Sequence, residues 1–312
     1  MQFTSLTTLL RTYNTEEKSR QYFANRRWSN GIICPHCGNH ESEKKIYIFK
    51  TSEYYKCGAC GKKFTVRTKT FLGDSKVSYQ NWLVALYLVT SHKKGISSFQ
   101  LSKDIGVTQK TAWFMLQRIL HVVSTGDDGG KLSGTVEVDE VYVGGKEGNK
   151  HKSKKTVNIN KNEGDKAMFL GMIQRGGLLI IRKFDKLNKA HIQPLIDRHI
   201  TEDAIVNTDE STIYKGALSG RERRVVNHSI GQYVMENNTT NRIEGVFAHF
   251  KRMVNGIHHY LSHFHIQKYT NMFCFRWNTM NCGESERIEL LLMNMNNTKI
   301  TYKEVVHGGQ EG

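Results

Sequence analysis

Three acidic side chains stand where two apolar strands and a helix could bring them together. Asp139 lies in Val136-Glu137-Val138-Asp139-Glu140-Val141, and Asp209 ends the apolar run Ala204-Ile205-Val206-Asn207-Thr208. Glu244 sits in Asn241-Arg242-Ile243-Glu244-Gly245-Val246-Phe247. A carboxylate among β-branched residues is costly to bury unless it is paired or binds a metal. Gathered in one place, Asp139, Asp209 and Glu244 would hold two Mg²⁺ or Mn²⁺ ions about 4 Å apart, because hard carboxylate oxygens suit those ions. Such a pair activates a water or a 3′-hydroxyl and stabilises the leaving oxygen during in-line attack on a phosphodiester. Each acid alone is weak support, since a strand-end Asp or a helical Glu is commonly a solvated or capping residue.

A second set of residues points to a different metal. Cys34-Pro-His-Cys37 and Cys57-Gly-Ala-Cys60 are two tight CxxC pairs, 19 residues apart. Two knuckles at that separation form the pattern of a zinc ribbon, in which Cys34, Cys37, Cys57 and Cys60 surround one structural Zn²⁺. Gly38, Gly58 and Gly61 suit the knuckle turns, and Tyr54, Tyr55, Phe64 and Val66 suit short flanking strands. His36 reads as a bystander, and Cys274 and Cys282 as ordinary thiols. Lys56, Lys62, Lys63, Arg67 and Lys69 make a DNA backbone a reasonable neighbour of this unit.

These groups need elements to position them. Alternation over 136–141 puts Glu137 and Asp139 on one strand face, with Val136, Val138 and Glu140 on the other. We read Glu137, Glu140 and Glu210 as neighbours of the acid site, not as ligands. Further strands are expected over 167–173, 178–184 and 204–208, with another in 225–234; a turn at Arg175-Gly176-Gly177 joins the first two. Helices are expected over 188–200, 239–254 and 264–281. In the second of these, Ile243, Phe247 and Phe250 face the core, while Glu244 and Lys251, seven residues apart, share another face. Lys251 would then contact DNA phosphate beside the acids, with Arg252 next to it. The alternating order indicates an α/β core with a mixed sheet.

Before this core, residues 75–123 carry apolar side chains at helical spacing. Within them, Gly106 turns the chain, Val107 packs inward and Thr108 caps the next helix. Gln109, Lys110 and Thr111 would open that helix, where side chains of a helix-turn-helix reach base edges or phosphates. A plain helical hairpin that only packs is the alternative by shape alone. The expected organisation is a zinc ribbon over 1–70, a helix-turn-helix over 71–123, a Gly/Asp-rich linker over 124–133, a catalytic domain over 134–284 and a tail over 285–312.

Composition agrees with a polyanionic partner. Lys and Arg outnumber Asp and Glu by 45 to 29, a net charge of +16 in a chain of otherwise ordinary composition. The stretch 144–166 holds seven lysines and His151 against three acids. Lys150, Lys152, Lys154 and Lys155 within it are expected to contact phosphates, although the stretch alone reads as a solvated insertion. No apolar run is long enough to cross a bilayer, and Met1 to Arg11 holds no signal-peptide pattern. A cytoplasmic, nucleoid-associated protein is therefore expected, without a membrane partner.

The chain resembles the bacterial insertion-sequence transposases of the zinc-ribbon ISXO type, which are related to the eukaryotic Merlin transposons. The resemblance runs over both knuckles, Lys94-Gly95-Ile96, Lys110-Thr111-Ala112-Trp113, Val136 to Lys146, Thr208-Asp209, Asn241 to Lys251 and His258-His259-Tyr260 to Asn278. It implies a ribonuclease-H-like fold and a DDE triad of Asp139, Asp209 and Glu244, followed by Lys251. It also implies double-stranded DNA as partner, both element ends and target, and a homodimer or higher multimer on that DNA. Phe247 fills a position that is often Trp in that family. Two other readings stay open: a non-catalytic DNA-binding regulator, and a metal-dependent nuclease that cuts without joining.

Overall fold

The computed structural model describes residues 3–49, 52–126, 129–144, 166–218, 220–226, 240–259 and 261–307. Two compact units divide the chain, one from Met1–Gly126 together with Asn281–Gly312, the other from Asp127–Met280.

The first unit begins with α1 (Leu6–Thr12) and α2 (Glu16–Arg27), each started by a hydroxyl cap, Ser5 on the Thr8 N–H and Thr15 on the Lys18 N–H. A three-stranded antiparallel sheet follows: β1 (Ile46–Ile48), β2 (Tyr55–Cys57) and β3 (Lys63–Phe64). Its inner face packs around Trp28, whose ring meets Tyr55 and Phe64 edge-on at centroid distances of 4.9 and 5.9 Å. Then come α3 (Tyr79–Ser91), α4 (Ser98–Ile105) and α5 (Gln109–Thr125). Between α4 and α5, Gly106 takes φ 66°, a left-handed conformation that glycine adopts without a Cβ clash. The Thr108 hydroxyl accepts the Thr111 N–H at 3.2 Å and starts α5.

The second unit is built on a five-stranded mixed sheet in the order β6-β5-β4-β7-β8. Its strands are β4 (Thr135–Val143), β5 (Ala167–Gln174), β6 (Leu179–Phe184), β7 (Ile205–Thr208) and β8 (Glu222–Val225). β4, β5 and β6 pair antiparallel, whereas β7 runs parallel to β4 and β8 parallel to β7. One face of the sheet packs on α6 (Lys189–His199) and the short α7 (Thr212–Ala217) through Val136, Val138, Ile192, Ile196, Val206 and Tyr214, all fully buried. The helices α8 (Asn241–Met253) and α9 (Ile266–Asn278) complete the unit, with a π-helical turn at Val254–His258 after α8. Ile243, Phe247 and Phe250 of α8 are buried as the helical spacing requires.

Three features differ from expectation. The strand β8 over Glu222–Val225 was not expected; the strand expected over 225–234 falls largely on residues 227–239, which lie outside the described ones. The helix α7 follows Asp209 without an apolar period long enough to announce it. After residue 284, α10 (Glu284–Leu292) and α11 (Tyr302–His307) return to the first unit. There the Arg27 guanidinium donates to Asn296 Oδ1 at 3.0 Å, and the Phe71 N–H donates to Thr298 Oγ1 at 3.1 Å. No helix among the described residues is long and apolar enough to cross a membrane.

Candidate active site and metal centre

The acid-bearing strands are neighbours. β4 and β7 align Thr135 with Ile205, Val136 with Val206 and Glu137 with Asn207. Carried two residues further, that register sets Asp139, in the middle of β4, beside Asp209, which follows the carboxyl end of β7. Ligands of open α/β sheets collect at such strand ends. Asp139 accepts the Glu140 N–H at 2.8 Å, and Asp209 accepts the Ser211 N–H at 3.0 Å, so each carboxylate is oriented by backbone.

Glu244 arrives from the first turn of α8, where the Thr240 hydroxyl donates to it at 3.1 Å. Two details of the sheet fix that helix. Glu137, only 1% exposed, accepts the N–H groups of Arg242 and Ile243 on one oxygen, both at 3.1 Å. Its other oxygen accepts Arg175 Nε at 3.3 Å. A buried carboxylate thus occupies the positive end of the helix dipole and satisfies two of its unpaired donors. Gly171, paired with Asp139 across β4 and β5, gives the second detail. A Cβ there would lie 2.6 Å from the Phe247 ring and 2.9 Å from Ile243 Cδ1, so glycine permits the close approach of α8 to the sheet.

The loop after Asp209 is also fastened. Arg223 of β8 donates to the carbonyls of Asp209 and Ser211 at 2.8 and 2.9 Å, and to Thr208 Oγ1 at 2.9 Å. On the opposite face of β4, the Tyr214 hydroxyl donates to Glu140.

Electrostatically the site holds more negative charge than it can neutralise. Burial, together with the charges of Glu140, Asp209 and Glu244, pushes the Asp139 carboxyl up to about 7, against the opposing Glu140 N–H bond. Glu140 is raised too, chiefly by burial, while Tyr214 opposes the shift. A cluster of hard oxygens that destabilises its own ionised form fits a divalent cation of the Mg²⁺ type. Among the described residues, the acids do not close into a group of three with oxygens within 4.8 Å of one another. Lys251 and Arg252, in the last turn of α8, are exposed.

The cysteines do close. The Sγ atoms of Cys34, Cys37, Cys57 and Cys60 all lie within 4.8 Å of one another. Cys34 and Cys60 are 3.8 Å apart, and Cys37 and Cys57 are 3.7 Å apart. Tetrahedral zinc with Zn–S bonds of about 2.3 Å requires sulfur separations of about 3.8 Å, which these two pairs meet, so the four thiols suit the ion. Burial disfavours the Cys57 thiolate, but the amides of Cys60 and Ala59 and the thiols of Cys37 and Cys34 together outweigh it and bring that thiol down to about 7. His36 is turned to the Lys63 carbonyl at 3.2 Å. Cys274 and Cys282 lie in other parts of the chain.

At the start of α5, Gln109 donates to Ser98 Oγ at 2.9 Å, and Thr111 lies 2.9 Å from the Thr108 hydroxyl. Lys110 is exposed and its ammonium stands 4.9 Å from the Tyr302 ring centre. Lys150, Lys152, Lys154 and Lys155 lie outside the described residues.

Glu137 was expected only as a neighbour of the acid site, and neither Gly171 nor Arg223 was expected to contribute. A usable signal existed for Glu137: an acid among β-branched residues, on the same strand face as Asp139, has to find donors. Nothing local in the sequence marks Gly171 or Arg223.

Residues 131–278 match the family model of the ISXO2-like transposase domain, and residues 14–63 match that of the transposase zinc-ribbon domain. A protein of Halobacterium salinarum, described as an uncharacterized protein in transposable element ISH50, is 31% identical over 134 residues. That stretch is 43% of this chain and 44% of the relative, so the chain spans less than half the relative's length. Among solved structures, the Mos1 transposase paired-end complex with left transposon end aligns over 68% of this chain and 74% of its own, with 12% identity and a TM-score of 0.29. A pre-cleavage Mos1 transpososome aligns over 69% and 78%, with 13% identity and a TM-score of 0.25.

Proposed function

The chain belongs to the ISXO2-like, zinc-ribbon transposases, and from that premise we propose that it cuts the ends of its element and joins them to target DNA. Asp139, Asp209 and Glu244 are the acids of the reaction. The observation that supports this reading is the parallel pairing of β4 with β7, whose register carried on brings Asp139 alongside Asp209, together with the charges of Asp209 and Glu244 acting on the Asp139 carboxyl. We read the sheet, three antiparallel strands followed by two parallel ones, as ribonuclease-H-like.

Asp139, Asp209 and Glu244 would hold two Mg²⁺ or Mn²⁺ ions, which when bound activate the attacking oxygen and stabilise the leaving one. The protein's own part is placement. Glu137 and Gly171 seat α8 on the sheet, and Arg223 holds the loop that follows Asp209. Lys251 lies seven residues beyond Glu244, about 10 Å along the same helix face, and contacts the neighbouring phosphate with Arg252. Water attack breaks a phosphodiester and leaves a 3′-hydroxyl on one side and a 5′-phosphate on the other. The freed 3′-hydroxyl then attacks a target phosphorus, and the new bond replaces the target's own P–O3′ bond, with the target 3′-hydroxyl leaving.

We assign α4 and α5 to a helix-turn-helix that binds element ends, with Lys110 its most available cation and Gln109 and Thr111 released from their internal partners on binding. The lysines of 144–166 add phosphate contacts. Two ends must be joined together, so the working form on DNA is a dimer or larger, associated with the nucleoid.

The test is a mating-out assay. A resistance marker flanked by the DNA bordering this gene is supplied with wild-type protein or Asp209→Asn in trans. Insertions with wild type and none with the variant are expected. Insertions at equal frequency with both would exclude the acid site, and none with either, while the wild-type protein still binds the flanking DNA, would favour a DNA-binding relic.

A further inference from the structure

The ribbon sheet has a second face. Alternation along β1 and β2 places Tyr47 and Phe49 with Tyr54 and Lys56, opposite to the buried Ile46, Tyr55 and Cys57. The pairing register sets Tyr47 beside Lys56, and Lys56 beside Lys63 of β3. Phe49 and Tyr54 continue the ladder, with the Phe49 N–H donating to the Tyr54 carbonyl at 3.2 Å. Tyr47 is 49% exposed, Tyr54 47% and Phe49 38%.

Each ring has an ammonium for company. Lys45 Nζ stands 5.3 Å from the Tyr47 centroid, and Lys63 Nζ stands 5.4 and 6.0 Å from those of Phe49 and Tyr54. Between residues 44 and 64 the one acid is Glu53, which accepts the Tyr79 hydroxyl at 2.9 Å. The face therefore carries three exposed aromatic rings interleaved with lysines, and the acids nearest Phe49 and Tyr54, namely Glu16, Glu17 and Glu53, line the cavity at its edge.

We propose that this face binds unpaired DNA, with bases stacked on Tyr47, Phe49 and Tyr54 and the phosphates held by Lys45, Lys56 and Lys63. A duplex offers phosphates and sugars to a flat surface, for which lysines alone would serve. Exposed rings gain nothing from that backbone, but every unstacked base has a π face for them. The lysine stems are long enough to leave the rings for the flanking phosphates as bases arrive. The inference rests on the reading of the chain as an enzyme of DNA ends, where strand opening supplies unpaired nucleotides. It gives the ribbon a role distinct from duplex recognition.

The experiment uses full-length, zinc-loaded protein and fluorescence anisotropy with two probes, a short labelled oligothymidine and a labelled duplex from the gene's flank. The triple variant Tyr47→Ser, Phe49→Ser, Tyr54→Ser should weaken oligothymidine binding at least about tenfold while duplex affinity changes less than about threefold. Tyr47→Phe with Tyr54→Phe should restore wild-type oligothymidine affinity. Lys63→Ser should reduce the oligothymidine log–log salt slope by about 0.7. Zinc content checks the fold, and if the serine variant loses zinc, Tyr47→Leu with Tyr54→Leu makes the same comparison on an apolar surface. Unchanged oligothymidine affinity, or an equal fall for both probes, overturns the inference. So does a change in sedimentation with intact binding to both probes, since that would make the face a contact between protein chains. Absence of binding to either probe by the wild type would instead overturn the reading of the chain as a DNA enzyme.

Discussion

Glu137 accepts the backbone N–H of Ile243 at 3.1 Å, a bond between residues 106 apart in sequence. It ties the strand that carries Asp139 to the helix that carries Glu244, and Arg175 completes the carboxylate's pairing. Removing the carboxylate strands two helix-end donors in a buried setting. Glu137→Ala should destabilise the catalytic unit by about 2–3 kcal/mol in urea melts, and Glu137→Gln, which keeps one acceptor oxygen, by about 1 kcal/mol. Equal stability of wild type and Glu137→Ala would show that α8 is seated by packing alone.

Gly171 makes the same connection sterically. Its missing side chain is the space occupied by the Phe247 ring, and it pairs across the sheet with Asp139. Gly171→Ala should cost about 1–3 kcal/mol by overpacking. Combining it with Phe247→Leu should recover part of that loss, a non-additivity that a double-mutant cycle reads directly. Strict additivity would mean that the two residues do not press on each other.

The acid site should weaken the metal-free protein. Burial and the neighbouring carboxylates raise Asp139 from 3.8 to about 7. A carboxyl raised in the folded state carries no penalty below its unfolded pKa and destabilises increasingly as pH rises through the folded one. Without added divalent metal at pH 8, Asp139→Asn should therefore be more stable than wild type, by on the order of 1–2 kcal/mol. The gap should close toward pH 4, and Mg²⁺ should stabilise wild type but not the variant. A less stable Asp139→Asn at pH 8 would contradict the electrostatic description.

Much of this site was legible in the sequence for local reasons. The period of two in Val136 to Val141 sorted Asp139 from Val138, and the period of α8 sorted Glu244 from Ile243 and Phe247. The sulfur cluster followed from two knuckles because the chelating geometry is set within four residues. What stayed hidden depends on partners distant in the chain. Arg223 matters through the end of β7, Glu137 through α8, and the residues after 284 through Arg27 and Phe71. A single sequence does not contain those pairings. Lys150 to Lys155, whose charge was plain in the sequence, lie outside the described residues.

Zinc should be structural in the ribbon. One ion per chain is expected by atomic absorption, and a zinc chelator should remove hydrogen-exchange protection from β1–β3 while β4–β6 keep theirs. The reason is size, since so small a sheet has little core and zinc ribbons of this kind draw about 10 kcal/mol or more from the metal. Protection of β1–β3 that survives chelation would mean the packing around Trp28 suffices.

The most direct measurement is strand cleavage by purified protein. A labelled duplex carrying the gene's flanking DNA is incubated with Mg²⁺ and wild type, Asp139→Asn, Asp209→Asn or Glu244→Gln, each checked for zinc content and duplex binding. Wild type is expected to give a product with a 3′-hydroxyl at the element end, and each variant to lose at least about a hundredfold in rate with binding retained. Cleavage at the wild-type rate by any of the three variants would contradict the assignment of these acids.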